Sequence, residues 1–414
     1  MLMMLAKMGI GEAFGMLVFG VVLIFGIAWI ANARFAAARK KQALELGLQI
    51  DDKGDLRGEL EGFAVELVSF VVETKSGNKK KDRQHKTRLT VSGGLPGDVH
   101  LGKAGLMATL NDRALARVAG PDIEIGSARF DERYVVKGEP RALFAMLDVE
   151  ARERFTKALD EGWVFQDGAW VFEDFGLMTG EVVVSRVRAG VELAGWLRER
   201  AAFDVLPSVI ERIRFDPEPE VRRNALSALI ADGGAQAVEV GALLDDLGRD
   251  EDPQMRLLVA KARRDADTLT ALALDAELKT MTRVEALGLL ATLEDERLLV
   301  TASAVLGESG TEAELRIAAV DMARWLGPRA EGMVITALRD PEKRVCEAAV
   351  RALGVVGTVE AVPALRALNG SGELERLAKD AVVAIQSRIG VEGGGLALAG
   401  AGMDGGLAVV DSRE

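Results

Sequence analysis

Few residues in this 414-residue chain have the type and spacing that chemistry needs. Asp131 and Glu132 follow Phe130 as an acidic pair. Two carboxylates held in unlike environments can divide general acid and base roles. A single adjacent pair has no spacing diagnostic of glycoside cleavage or of a metal site, so turn capping is the plainer role for Asp131. An enzyme with an acidic site in this region stands as an alternative. The two histidines, His85 and His100, lie in or near a basic segment and beside no nucleophile. The single cysteine, Cys346, excludes an intrachain disulfide and a cysteine-built zinc site, and its Ala/Val surroundings read as core. Gly400, Gly402 and Gly405 satisfy G-x-G-x-x-G, but only nine residues follow, too few for a helix that receives a pyrophosphate. The expectation is no catalytic residue, no cofactor and no metal.

A formal net charge of -12 excludes a general nucleic-acid binder, which needs a basic field facing phosphates. One local exception is "SGNKKKDRQHK", which holds Lys79, Lys80, Lys81, Arg83 and Lys86. It reads as a solvated loop or, alternatively, as a tip that touches anionic lipid headgroups.

The elements that position these residues begin with an uncharged run from Ala13 to Ala33. At 1.5 Å per residue it is about 30 Å long, enough for a bilayer's hydrocarbon core. Trp29 stands near its distal end, and Arg34, Arg39, Lys40 and Lys41 follow. The positive-inside rule then places the remainder in the cytoplasm, giving a single-pass protein of the cell inner membrane. The competing reading is a cleaved signal peptide ending at Ala31-Asn32-Ala33, which would leave an exported periplasmic scaffold.

Beyond this anchor and its basic continuation (residues 1–46), an α+β domain is expected over 47–200. "FAVELVSFVVETK" (Phe63 to Lys75) alternates as a strand, and "TRLTVSGGL" (Thr87 to Leu95) answers it across the basic loop. A strand, a loop, the strand "RYVVKG", a Pro-initiated helix and a helix starting near Asp148 follow. Gly162 to Gly176 reads as a second hairpin turning at Asp167-Gly168. "GEVVVSRVRAGVELAGWLRER" supplies a last strand or a closing helix. Phe130, Asp131, Tyr134 and Val136, then Leu147-Asp148 and Arg152, resemble the signature of membrane-anchored bacterial domains of unknown function. That resemblance implies a tethered α+β domain and no particular chemistry.

From 201 to 390 the apolar period becomes helical. The stripe Val221, Ala225, Leu226, Leu229 returns at Met255, Val259, Ala260, then at Thr282, Ala286, Leu287, Leu290. It recurs at Leu315, Ala319, Val320, at Val345, Ala349, Val350, Leu353, and at Leu377, Ala381, Val382, Ile385. Steps of about 30 residues signal stacked helix pairs, each too small to bury its own apolar face. Asp216, Asp252 and Asp340 each precede a proline, the order that caps a helix and fills its first turn. Arg222, Arg256 and Arg344 fall near each turn, placed to ladder onto neighbouring carboxylates. These features resemble HEAT-type repeats of the bacterial short kind, D-P-x-x-x-V-R followed by A-x-x-A-L-G. The resemblance implies an α-solenoid whose long concave surface receives another protein. Residues 391–414 are Gly-rich and read as a flexible tail. The expected fold is therefore multidomain: one transmembrane helix, a small α+β domain and an all-α HEAT-like solenoid. The expected function is a membrane-tethered scaffold or adaptor that binds a protein partner without catalysis.

Overall fold

The computed structural model describes residues 10–74, 82–93, 99–103, 121–200, 204–231, 238–368 and 372–392. The chain divides into two compact units, Met1–Asp232 and Gly233–Glu414.

The first unit is built on an eight-stranded sheet ordered β1-β2-β3-β4-β8-β7-β5-β6, in which each pairing is antiparallel. The strands are β1 (Gln49–Ile50), β2 (Leu56–Leu60), β3 (Phe63–Thr74), β4 (Asp82–Ser92), β5 (His100–Lys103), β6 (Tyr134–Lys137), β7 (Trp163–Gln166) and β8 (Ala169–Phe175). Leu67 faces Leu89 and Val65 faces Val91 across the β3–β4 pair, and all four are buried. This is the period-2 signal of one covered face. β4 begins at Asp82, so Asp82–Lys86, expected as loop, extends the strand to pair with Phe70–Thr74. The β7–β8 hairpin turns at Asp167 (φ 52°) and Gly168 (φ 72°), the left-handed pair that a two-residue hairpin needs.

Helix α2 (Ala128–Asp131) precedes β6, α3 (Pro140–Met146) and α4 (Val149–Asp160) lie between β6 and β7, and α5 (Glu181–Arg200) follows β8. Asp148 caps α4 by accepting from the Ala151 N–H at 2.7 Å, and Glu139 caps α3 ahead of Pro140. The closing segment is thus the helix α5, not a strand. Its Gly190 lies against Trp163 and Val91, so closely that a Cβ there would be 2.7 Å from the indole. Phe155 of α4 stacks on Trp170 of β8 and meets Trp196 of α5 edge-on. Two more helices, α6 (Val205–Phe215) and α7 (Pro219–Ala231), complete this unit and pack on each other and on α3.

The N-terminal expectation is corrected. Among the described residues no helix is long and apolar enough to cross a membrane. The transmembrane anchor, the single-pass topology, the membrane contact through this segment and the inner-membrane location fall with that finding. The segment is one helix, α1 (Ile10–Leu46), that runs through the basic residues without stopping. Arg39, assigned from sequence to a membrane boundary, is buried and donates to the Ser69 hydroxyl of β3 at 3.2 Å. Gln42 donates to the Gly180 carbonyl, and Ala43 and Leu46 are buried beside it. The charges that resemble a stop signal in one dimension therefore lie on a helix whose C-terminal part is built into the folded unit.

The second unit is helical throughout its described length: α8 (Val238–Leu247), α9 (Pro253–Arg263), α10 (Ala266–Leu274), α11 (Thr280–Thr292), α12 (Arg297–Gly307), α13 (Ala313–Asp321), α14 (Ala323–Leu326), a 3-10 turn (Gly327–Ala330), α15 (Glu331–Ala337), α16 (Lys343–Val356), α17 (Ala361–Arg366) and α18 (Glu373–Glu392). Most helices pack on a sequence neighbour, and many also on the one two along. α9, α11, α13, α16 and α18 touch in series, while α10 packs on α12 and α15 on α17. The stripe residues Met255, Ala286, Leu290, Leu315, Ala319, Val345, Ala349 and Ile385 are buried in this layering. Ala384, next to Ile385 on α18, is exposed. The small side chains let neighbouring helices approach closely, and the core is correspondingly rich in Ala, Val and Leu.

Candidate functional site

Two cavities in the first unit flank the short helix α2. One, of about 480 Å³, is lined by Asp122, Glu124, Asp131, Tyr134, Glu220 and Asn224 among others. The other, of about 550 Å³, is lined by Ser127, Arg129, Arg152, Glu153, Lys157 and Glu218 among others. The first is acidic and the second mixed in charge.

Asp131 stands at the wall of the acidic cavity, but its carboxylate is engaged. Its two oxygens accept from the Ile125 N–H at 3.1 Å and the Gly126 N–H at 2.7 Å. Burial pushes its pKa up, assisted by Glu124 and Asp122, against the pull of those two N–H groups. This is the turn-capping role read from sequence. Asp160, at the end of α4, accepts from the Tyr134 hydroxyl at 2.8 Å and, through both its oxygens, from one terminal nitrogen of Arg133 at 2.6 and 2.8 Å, with Lys103 at 3.3 Å. Its pKa is lowered first by the Tyr134 hydroxyl and then by Arg133. Burial, then Asp160, raises the phenol of Tyr134. His100 is buried, with Nε2 4.0 Å from Asp167. Among the described residues no cluster of three or more His, Cys, Asp or Glu is placed to hold a metal ion.

The signature residues of this region converge on a structural task. Phe130, Tyr134, Val136 and Leu147 are buried in the core. Arg152 turns back to the Leu147 carbonyl at 2.9 Å and forks onto Asp216 at 2.9 and 3.1 Å, with Glu218 at 3.2 Å. The Arg152 side chain is 6% exposed and that of Asp216 0%. Asp216, read from sequence as a repeat cap, instead ties the α6–α7 turn to α4 and also accepts from the Glu218 N–H.

The other turn residues divide. Asp252 caps α9 through the Gln254 N–H. Asp340 accepts a two-pronged bond from Arg316 at 2.8 and 3.0 Å and a further one from the Glu342 N–H. Arg344 reaches back one repeat to Glu314 at 2.9 Å. The Nε atoms of Arg222 and Arg256 have no partner among the described residues. The more buried ties between helices come from Arg316 and from Arg283, which donates to the Ala273 carbonyl and to Glu308. Both occupy the position of Arg222 and Arg256, directly after the first stripe residue. Cys346 stands at that position in the next repeat. There its buried Sγ lies 3.1 Å from the Asp340 carbonyl, and burial raises its pKa. Of the basic loop, Lys79, Lys80 and Lys81 lie outside the described residues. Arg83 pairs with Glu73 at 3.0 Å, and Lys86 pairs with Glu173 and lies over the Phe175 ring. The Gly-rich tail, with its G-x-G-x-x-G match, also lies outside the described residues.

No known family matches the chain, and no curated protein matches it. Among solved structures it is similar to human deoxyhypusine hydroxylase in complex with glycerol, at 18% identity over 44% of this chain and 74% of that one, with a TM-score of 0.27. A score that low carries no argument.

Two features escaped the sequence reading. The Arg152–Asp216 pair spans 64 residues, and no local pattern announces it. Trp325, in contrast, had a signal: it is the one aromatic residue between 233 and 392, and it is 61% exposed.

Proposed function

We propose that the protein is a non-catalytic binding scaffold whose second unit is a HEAT-like solenoid that receives a protein partner along its helical layers. The observation that carries this reading is the layering itself. Helices that pack in series, α9 on α11, α11 on α13, α13 on α16 and α16 on α18, build a surface that lengthens with each added helix, and such surfaces suit extended partners. The engaged state of the Asp131 carboxylate weighs against the enzyme alternative. The overall acidity of the chain weighs against nucleic acid.

The test places a photo-crosslinking residue, in separate full-length variants, at the exposed positions Met281, Val355 and Val383 in the α11–α16–α18 layer and at Val300 in α12. The expected result is one protein adduct of constant mass from one layer, absent from a control at Leu44 of α1. Adducts no more frequent than at Leu44 would defeat the reading. So would a turnover activity lost in a folded Asp131→Asn variant.

A further inference from the structure

The second unit breaks its own pattern once. Between α13 and α15 the chain inserts α14 and a 3-10 turn, "ARWLGPRA", where other helix pairs are joined by short turns. The corner is fixed at both ends, because Ala323 and Ala330 are buried. Gly327 has φ 61° and ψ -147°, a conformation that side-chain-bearing residues avoid, and Pro328 fixes the next φ. On this mount stands Trp325, 61% exposed, with the exposed Arg324 before it and Arg329 after it.

Neither arginine pairs with a carboxylate among the described residues. The next acid along, Glu331, is buried and occupied by the Thr358 N–H and hydroxyl and by the Ala361 N–H. Asp321, one turn earlier, forms no ion pair with either arginine. Many other surface arginines of this unit are neutralised, as Arg297 is by Asp267 and Arg344 by Glu314. An exposed tryptophan between two free guanidinium groups is the composition of an interface anchor: a large apolar plate that desolvates well, flanked by charges that select a partner.

We propose that the α14 corner is a docking point for a short acidic peptide segment of a partner protein. An apolar side chain of that segment packs on Trp325, and its carboxylates meet Arg324 and Arg329. This rests on the binding reading above and names the partner's chemistry. A short segment suits the site because charges farther than about 10 Å are screened at ordinary salt, so the local cations dominate despite the chain's net charge of -12. A long polyanion would also meet the acidic remainder.

The experiment uses full-length protein and fluorescence anisotropy with three labelled peptides: alternating Glu and Leu, the same with Lys for Glu, and the same with Ser for Glu. A labelled oligothymidylate is the fourth probe. The Glu/Leu peptide is expected to bind, more weakly as salt rises. Its affinity is expected to fall at least tenfold in Trp325→Ala and in the double variant Arg324→Glu/Arg329→Glu, and to stay unchanged in Trp29→Ala. Circular dichroism is expected to match wild type throughout, since these side chains are exposed. Equal or better binding of the Lys peptide, the Ser peptide or the oligonucleotide would overturn the proposal, as would binding by no peptide. Glu/Leu binding that survives both variants would overturn this corner while leaving the unit a binding surface. The scaffold reading itself stands or falls on the crosslinking test, which does not use these residues.

Discussion

Replacing Asp216 by Ala removes the carboxylate that neutralises a guanidinium buried inside the first unit. Arg152 keeps its bond to the Leu147 carbonyl and its contact with the half-exposed Glu218, but it loses the two bonds to Asp216. The Glu218 N–H loses its acceptor in the same step. Breaking a buried pair from one side costs about 3–5 kcal/mol, because the remaining charge stays desolvated. With a urea slope of ~3 kcal/mol per M for a unit of this size, the midpoint should fall by about 1–1.7 M. Tryptophan emission is a selective readout. Trp163, Trp170 and Trp196 are buried in this unit, whereas the second unit's Trp325 is already exposed. A double variant, Arg152→Met with Asp216→Leu, removes both charges and keeps the volume, and it should recover at least half of the loss. The reasoning fails if Asp216→Ala shifts the transition by less than about 1 kcal/mol, or if the double variant is less stable than either single one.

Three further outcomes are expected. Gly126 has φ 97°, and a Cβ there would come within 2.6 Å of the Glu220 backbone, so Gly126→Ala should cost about 2–4 kcal/mol in the same emission assay. Asp131 has a raised pKa in the folded unit, so folding holds its proton more tightly than the unfolded chain does. Its contribution to stability should therefore decline as pH rises from the ordinary carboxylate value, about 4, through the raised folded value. An Asp131→Asn variant should lack that decline, and a wild-type minus variant difference that grows with pH would contradict it. Glu331→Ala removes three bonds that hold the α16–α17 turn and should destabilise the second unit by about 2–4 kcal/mol, seen as a lower helical melting transition by circular dichroism.

What could be read from the residues was what is local. Asp167-Gly168 demands left-handed backbone and forms the hairpin; Asp148 caps its helix; the Ala/Val stripes become helices at their expected places. What could not be read depends on distant partners. The strand order β4-β8-β7-β5 joins segments more than 60 residues apart, and Asp216 resembles any Asp-Pro cap until Arg152 is brought beside it. The N-terminal misreading has the same origin. Hydropathy and charge along α1 record composition, whereas the burial of Arg39 against Ser69 depends on a strand 30 residues away. At the proposed peptide site the sequence offered its one clue, an isolated Trp, but its exposure and the free state of its arginines required the fold.

The lone thiol has a use that its burial creates. Cys346 sits in α16 beneath the Leu338 and Asp340 carbonyls, with little of it exposed to solvent. A thiol reagent should modify it mainly when the surrounding helices open, so the labelling rate follows local openings of the helical stack. Since each repeat leans on its neighbours, any occupant that spans them should slow this clock, even one that never touches the cysteine. A single unmodified protein sample would then report both the breathing of the helical unit and its arrest.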